Sequence, residues 1–154
     1  MASTEMQSQA DLEFVTFCVG GQSYSIDIAR IKEIRRWAPV TPLPHAPIGV
    51  LGVMNLRGSV IPIYDLAARL GLPGTPDNPR NVIVVAMHGG QTIGLLVESV
   101  SKILSVSRDL IQSTPDMRSD TVRQSITGLI TLDEGMTRVI DLAAVVHEQA
   151  MAVA

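Results

Sequence analysis

Few residues of this chain have the types and spacing that chemistry requires. His45, His88 and His147 lie far apart, with no recurring Cys or Asp spacing between them. A metal centre needs three or four convergent ligands, so His88 in a tight turn and His147 near the C-terminus are more simply solvated. Asp65 and Asp141 would be a candidate carboxylate pair for acid–base work. Each stands directly before Leu-Ala-Ala, however, which is the place of a helix cap. Phosphate-cradling glycine loops and a nucleophile elbow are missing from the sequence. Cys18, the single cysteine, allows no internal disulfide and lies in a strand-like run as a buried, inert thiol. The run Arg30, Lys32, Arg35, Arg36 is broken by Glu33, and a solvated strand face accounts for it. Trp37, the only tryptophan, precedes a proline-rich stretch and is either core or an anchor for a partner.

The elements that must carry these residues occur twice. Gly20-Gly21-Gln22-Ser23-Tyr24-Ser25-Ile26-Asp27-Ile28, with Ile31 and Ile34, is matched by Gly89-Gly90-Gln91-Thr92-Ile93-Gly94-Leu95-Leu96-Val97, with Val100 and Ile103. The offset is 69 throughout. A second block, Gly52-Val53-Met54 through Val60 to Ala68, returns as Gly128-Leu129-Ile130 through Met136 to Ala144, offset by 76. Two copies of this length do not make a solenoid. They predict two similar β units, about 14–70 and 82–146, with a Pro/Gly-rich linker over about 72–80. Ile26 and Leu95, Ile28 and Val97, and Ile63 and Ile140 should fill equivalent buried sites.

Within each unit, alternating apolar residues and Gly-Gly turns predict short hairpins. Strands are expected at 14–19, 23–28, 32–37, 49–56, 59–63, 82–87, 92–97, 100–106, 126–132 and 136–140. Ile28, Ile31 and Ile34 step by three, which suggests one helical turn between strands. Pro39, Pro42, Pro44 and Pro47 make 38–48 an extended connector. Residues 107–125 read as a long loop. Short helices should follow Asp65 and Asp141. Residues 1–12 read as a mobile tail and 148–154 as a C-terminal one. Many short strands and little helix indicate small closed barrels.

Composition limits the partners. Hydrophobic residues make up 46% and aromatics 3%, so the core is aliphatic. A net charge of −3 provides no general attraction to nucleic acid or anionic lipid. The absence of a long apolar run and of a secretory n-region predicts a soluble cytoplasmic protein without membrane insertion. Against this background two charges depart from the repeat. Arg57, at the Asn55-Leu56-Arg57-Gly58 turn, faces Asp133 in the second copy, and Glu33 faces Lys102. Such paired departures suggest that Glu33 and Arg57 share a task.

The same residues carry a resemblance. Tyr24-x-Ile26-Asp27-Ile28, Lys32-Glu33-Ile34-Arg35, Val40-Thr41-x-Leu43-Pro44 and Asn55-Leu56-Arg57-Gly58 followed by Ile61-Pro62-Ile63 and Asp65-Leu66 resemble the CheW family of bacterial chemotaxis adaptors. Val82 to Val85, Gly94 to Glu98 and Ile126-x-Gly128 continue the likeness, which spans about 13–147; Glu98 stands where the family has aspartate. The resemblance implies a mostly β fold of two packed five-stranded SH3-like barrels, with short helices including one at the C-terminus. It implies a non-enzymatic adaptor without cofactor or metal. Its partners would be the regulatory domain of the histidine kinase CheA and the cytoplasmic domain of methyl-accepting chemoreceptors, at receptor arrays on the inner face of the membrane. Receptor contact would fall in a groove between the barrels near Ile31, Glu33, Asn55 and Arg57, extended by Val100 and Ile103. Two other readings compete: a small-barrel nucleic-acid-binding protein, disfavoured by charge and aromatic content, and an enzyme with a site at the barrel seam.

Overall fold

The computed structural model describes residues 11–113, 125–133 and 135–146. Eleven strands are named in chain order: β1 Asp11–Val19, β2 Gln22–Asp27, β3 Ile31–Arg36, β4 Val50–Leu56, β5 Ser59–Asp65, β6 Val82–His88, β7 Gln91–Val97, β8 Ser99–Ser107, β9 Ile111–Gln112, β10 Ile126–Leu132 and β11 Gly135–Ile140. A single 3-10 turn, Ile28–Arg30, separates β2 from β3, and a short helix, Leu66–Arg69, follows β5. Residues 142–146 are helical. The turns behind this pattern are local. Gly20-Gly21 (φ 59° and 76°) and Gly89-Gly90 (φ 58° and 79°) adopt the same two-residue geometry, which needs two positive φ values and which glycine takes without steric cost.

The strands form two curled mixed sheets, the two small barrels of the fold. One has the order β3-β6-β7-β5-β4 and the other β8-β1-β2-β11-β10-β9. The repeat is obeyed in the hydrogen-bond register. Ile31 lies opposite Ala86 and Glu33 opposite Val85 around a bulge, just as Val100 lies opposite Phe17 and Lys102 opposite Thr16. The parallel pair Ile63–Gly94 matches Val139–Ser25. The bridge between Thr41 and Val53 matches the pairing of Gln112 with Leu129, so the connector 38–48 does in one barrel what β9 does in the other.

One expectation is corrected here. The copies 14–70 and 82–146 are not the two barrels. The five-stranded barrel is built from the continuous stretch β3 to β7, whereas the six-stranded one joins β1–β2 to β8–β11. The connections give the reason. The chain passes from β2 to β3 through three residues and from β7 to β8 through Glu98 alone. The far side of a hairpin lies about two strand spacings away, roughly 9.5 Å; one extended residue spans at most about 3.5 Å, and the three residues of the 3-10 turn, rising about 2 Å each, span about 6 Å. Each third strand is therefore delivered to the neighbouring barrel. Glu98 fastens one crossing: its amide donates to the Cys18 carbonyl (3.0 Å), and its carboxylate accepts from the Gly20 amide (3.2 Å) and from the Cys18 thiol (3.4 Å).

Three apolar clusters follow. The largest joins both barrels and includes Phe17, Tyr24 and Ile26 from one side with Tyr64, Val84 and Leu95 from the other. Met54, Leu56, Ile61, Ile63, Ile83, Val85 and Leu96 fill the five-stranded barrel, and Phe14, Ile130 and Val139 the six-stranded one. Of the predicted repeat pairs, Ile26 with Leu95 is buried in both copies, whereas the register matches Ile63 to Val139 rather than to Ile140, whose counterpart is Tyr64; all four are buried. Ile28 departs: it begins the 3-10 turn and is only half-buried, whereas Val97 is fully buried within β7.

Smaller boundaries also shift. Strand β1 begins at Asp11 rather than 14, because Asp11 and Leu12 pair with Ser107 and Val106 of the long β8. Both faces of its middle are buried, so Phe14, Val15, Thr16 and Phe17 do not alternate in exposure. The stretch 107–125 holds a 3-10 turn and β9 in its described part. Residues 1–10 and 147–154 lie outside the described residues, and with them His147, most of the N-terminal tail and the C-terminal tail.

Candidate docking tip on the five-stranded barrel

The tip is built by strands β4 and β5. Leu56 pairs with Ser59, leaving Arg57 and Gly58 as a two-residue turn. Both have positive φ, 53° and 87°. Glycine takes this conformation freely, but for an L-residue such as arginine the left-handed region costs about 1–2 kcal/mol. Asn55 supports the turn by accepting the Gly58 amide on its side-chain oxygen at 2.9 Å. The arginine then reaches across to β3. Its Nη1 lies 2.5 Å from Glu33 Oε2 and its Nη2 3.0 Å from Oε1, a two-pronged pair. Arg35 adds a guanidinium 3.5 Å from Glu33 Oε1. The hydrogen bond from Arg57 is the main cause holding the Glu33 carboxyl below its ordinary value. The Arg57 side chain stays 67% exposed, so the pair orders a surface rather than closing a core.

Of the residues expected in the groove, Glu33, Asn55 and Arg57 meet at this tip. Ile31 and Val100 are repeat-equivalent, and both pack partly buried against the cluster shared by the two barrels. Ile103 sits opposite Val15 on β8, in the other sheet, with 59% of its surface exposed. Trp37, left open by the sequence, is half-buried against the five-stranded barrel's core, and its amide donates to the Asn81 carbonyl at 2.9 Å.

Three further side chains take roles the sequence misassigned or missed. Asp141 accepts the Ala143 amide (3.0 Å) as a helix cap should, but Asp65 does not cap its helix. Its carboxylate instead binds the Thr75 amide at 2.9 Å and hydroxyl at 2.7 Å, securing the linker. The physical reason is competition: a linker threonine offers the carboxylate two donors at once. Arg69 is buried to 5% exposure, a place that its type alone would not suggest. Cys18 is partly exposed rather than buried, with its thiol pushed upward first by burial and then by Glu98. Among the described residues no three His, Cys, Asp or Glu side chains group as metal ligands. None of the described helices is long and apolar enough to cross a membrane.

The five-stranded barrel thus exposes a hairpin tip that is strained in its backbone and pinned by an ion pair. The CheW-like domain family matches residues 13–150. The chain is 44% identical over 141 residues to the probable chemotaxis protein CheW of Rhizobium etli, covering 92% of this chain and 91% of that protein. It is 45% identical to the chemotaxis protein CheW of Rhizobium meliloti, covering 86% of each. The crystal structure of the scaffolding protein TtCheW from Thermoanaerobacter tengcongensis superposes with a TM-score of 0.79 at 26% identity, covering 85% of this chain and 89% of that one. The chain belongs to the CheW-like family.

Proposed function

We propose that this protein is a non-enzymatic adaptor of bacterial chemotaxis. It couples the cytoplasmic tips of methyl-accepting chemoreceptors to the regulatory domain of the histidine kinase CheA, and it works in the cytoplasm at receptor arrays. It needs neither cofactor nor metal. The observation that carries this reading is the Arg57 tip: an arginine held in left-handed backbone and forked onto Glu33 at the surface. Backbone strain concentrates where a fixed geometry is used, and an ordered tip loses less freedom when a partner docks. The likeness to two proteins named chemotaxis protein CheW supports the pathway. The receptor surface comprises Glu33, Asn55 and Arg57, with Ile31 and Val100 as its apolar floor and Ile103 at its far wall.

Co-sedimentation with receptor-containing membranes, with and without the kinase, tests this. The protein should pellet with receptor membranes and raise the amount of kinase that pellets with them. Failure to bring the kinase down would remove the coupling role. Retention of RNA or DNA on a filter at moderate salt would favour the nucleic-acid reading instead.

A further inference from the structure

We infer that Arg69 is a clasp between the two barrels, a positioning residue that fixes how far apart they stand. It lies at the end of the helix after β5, and its copy-equivalent residue is Val145 in the helix after β11. These two positions meet: Arg69 Nε and Nη2 donate to the Val145 carbonyl at 3.0 and 2.5 Å. Nη1 donates to the Ile48 carbonyl at 2.9 Å, in the connector just before β4. The guanidinium also lies 5.6 Å from the centre of the Tyr64 ring. The acceptors of these three bonds are all backbone carbonyls.

The site is shaped for this side chain. A Cβ at Gly49 would stand 2.3 Å from Arg69 Cδ and 2.9 Å from Cγ, so glycine is needed there for the arginine to pass. The Gly49 carbonyl meanwhile accepts the Asp65 amide at 2.7 Å. The terminal helix follows the last strand of the six-stranded barrel, while Ile48 leads into β4 and the Arg57 tip. One buried fork therefore ties the end of one barrel to the strand that carries the other barrel's docking residues. Lysine cannot reproduce it, because an ammonium lacks the planar fork that reaches two carbonyls in fixed directions. The clasp's consequence for receptor binding rests on the docking reading above; the clasp itself does not.

Spin labels on one exposed position of each barrel test it, in a Cys18→Ser background. Arg36→Cys and Ser105→Cys serve, and pulsed electron resonance reads the distance between them. The parent should give one narrow distance. Arg69→Lys and Arg69→Met should broaden it or add a second, longer population, with strand content by circular dichroism retained. Gly49→Ala should do the same by displacing the arginine. A parent-like distance in the folded variants overturns the clasp. Should both Arg69 variants fail to fold, Gly49→Ala decides alone, and hydrogen exchange of the 142–146 peptide in it must rise at least tenfold; parent-like protection there also overturns the proposal. Normal distances with lost receptor binding would count against the clasp and leave the docking reading intact.

Discussion

At the residue scale the decisive feature is a charge pair that the repeat does not share. Glu33 and Arg57 stand where the second copy has Lys102 and Asp133. An exposed ion pair adds little to folding, about 0–1 kcal/mol, so the melting temperature of Arg57→Ala should stay near the parent's while receptor co-sedimentation falls. Glu33→Arg should behave alike, and the swap Glu33→Arg with Arg57→Glu should recover part of the loss. Strictly additive effects in that cycle would mean the two residues act separately. The pairing also sets a pH window. Arg57 holds the folded Glu33 carboxyl below its ordinary value, so the paired tip persists from neutral pH through the usual carboxylate range. It is lost only as pH falls through that lowered midpoint. A carboxyl-detected NMR titration should place Glu33 below an unpaired glutamate, and Arg57→Ala should move it upward. An unmoved midpoint would show that the arginine is not its partner in solution.

At the element scale, glycines differ sharply in what they protect. Gly58 has positive φ but open space around its Cβ position. A Cβ at Gly52 would stand 2.0 Å from the Thr41 carbonyl oxygen and 2.7 Å from its carbon, both backbone. Gly52→Ala must therefore push the connector away from β4 and break the hydrogen bonds between Thr41 and Val53. Gly58→Ala carries only the backbone cost, about 1–2 kcal/mol. Urea denaturation should show Gly52→Ala the more destabilised of the two, and the reverse order would argue against the connector's packing. Gly128, its counterpart, is crowded by Ile111 and Gln112 of β9 in the same way.

At the scale of the molecule, the cluster shared by the barrels should make them unfold together. Leu95 is fully buried in it, and Leu95→Ala should cost about 2–5 kcal/mol, the usual range for such truncations. Trp37 packs against the five-stranded barrel alone, so its fluorescence reports that barrel. Ile130→Ala removes core from the other barrel. If the molecule is one cooperative unit, this change lowers the Trp37-detected midpoint as much as the one read by circular dichroism. A Trp37 midpoint that stays in place would make the barrels separately folding units.

Local structure and the odd residues were legible along the chain. Gly-Gly turns, alternating apolar positions and the doubled pattern are short-range signals, and they located the hairpins, the 3-10 turn and the helix after Asp141. The unmatched charges marked Glu33 and Arg57 because a repeat makes departures visible. Which barrel each third strand joins was settled only by packing in three dimensions. Strands β3 and β8 match in apolar pattern and in register, so the pattern along the chain fits either partner; connection length and the common core choose between them. Likewise Asp65 had the residues of a cap but found two donors on Thr75, and Arg69 looked like an ordinary helix-end cation. Their roles depend on groups brought close by packing, and no spacing along the chain encodes that distance.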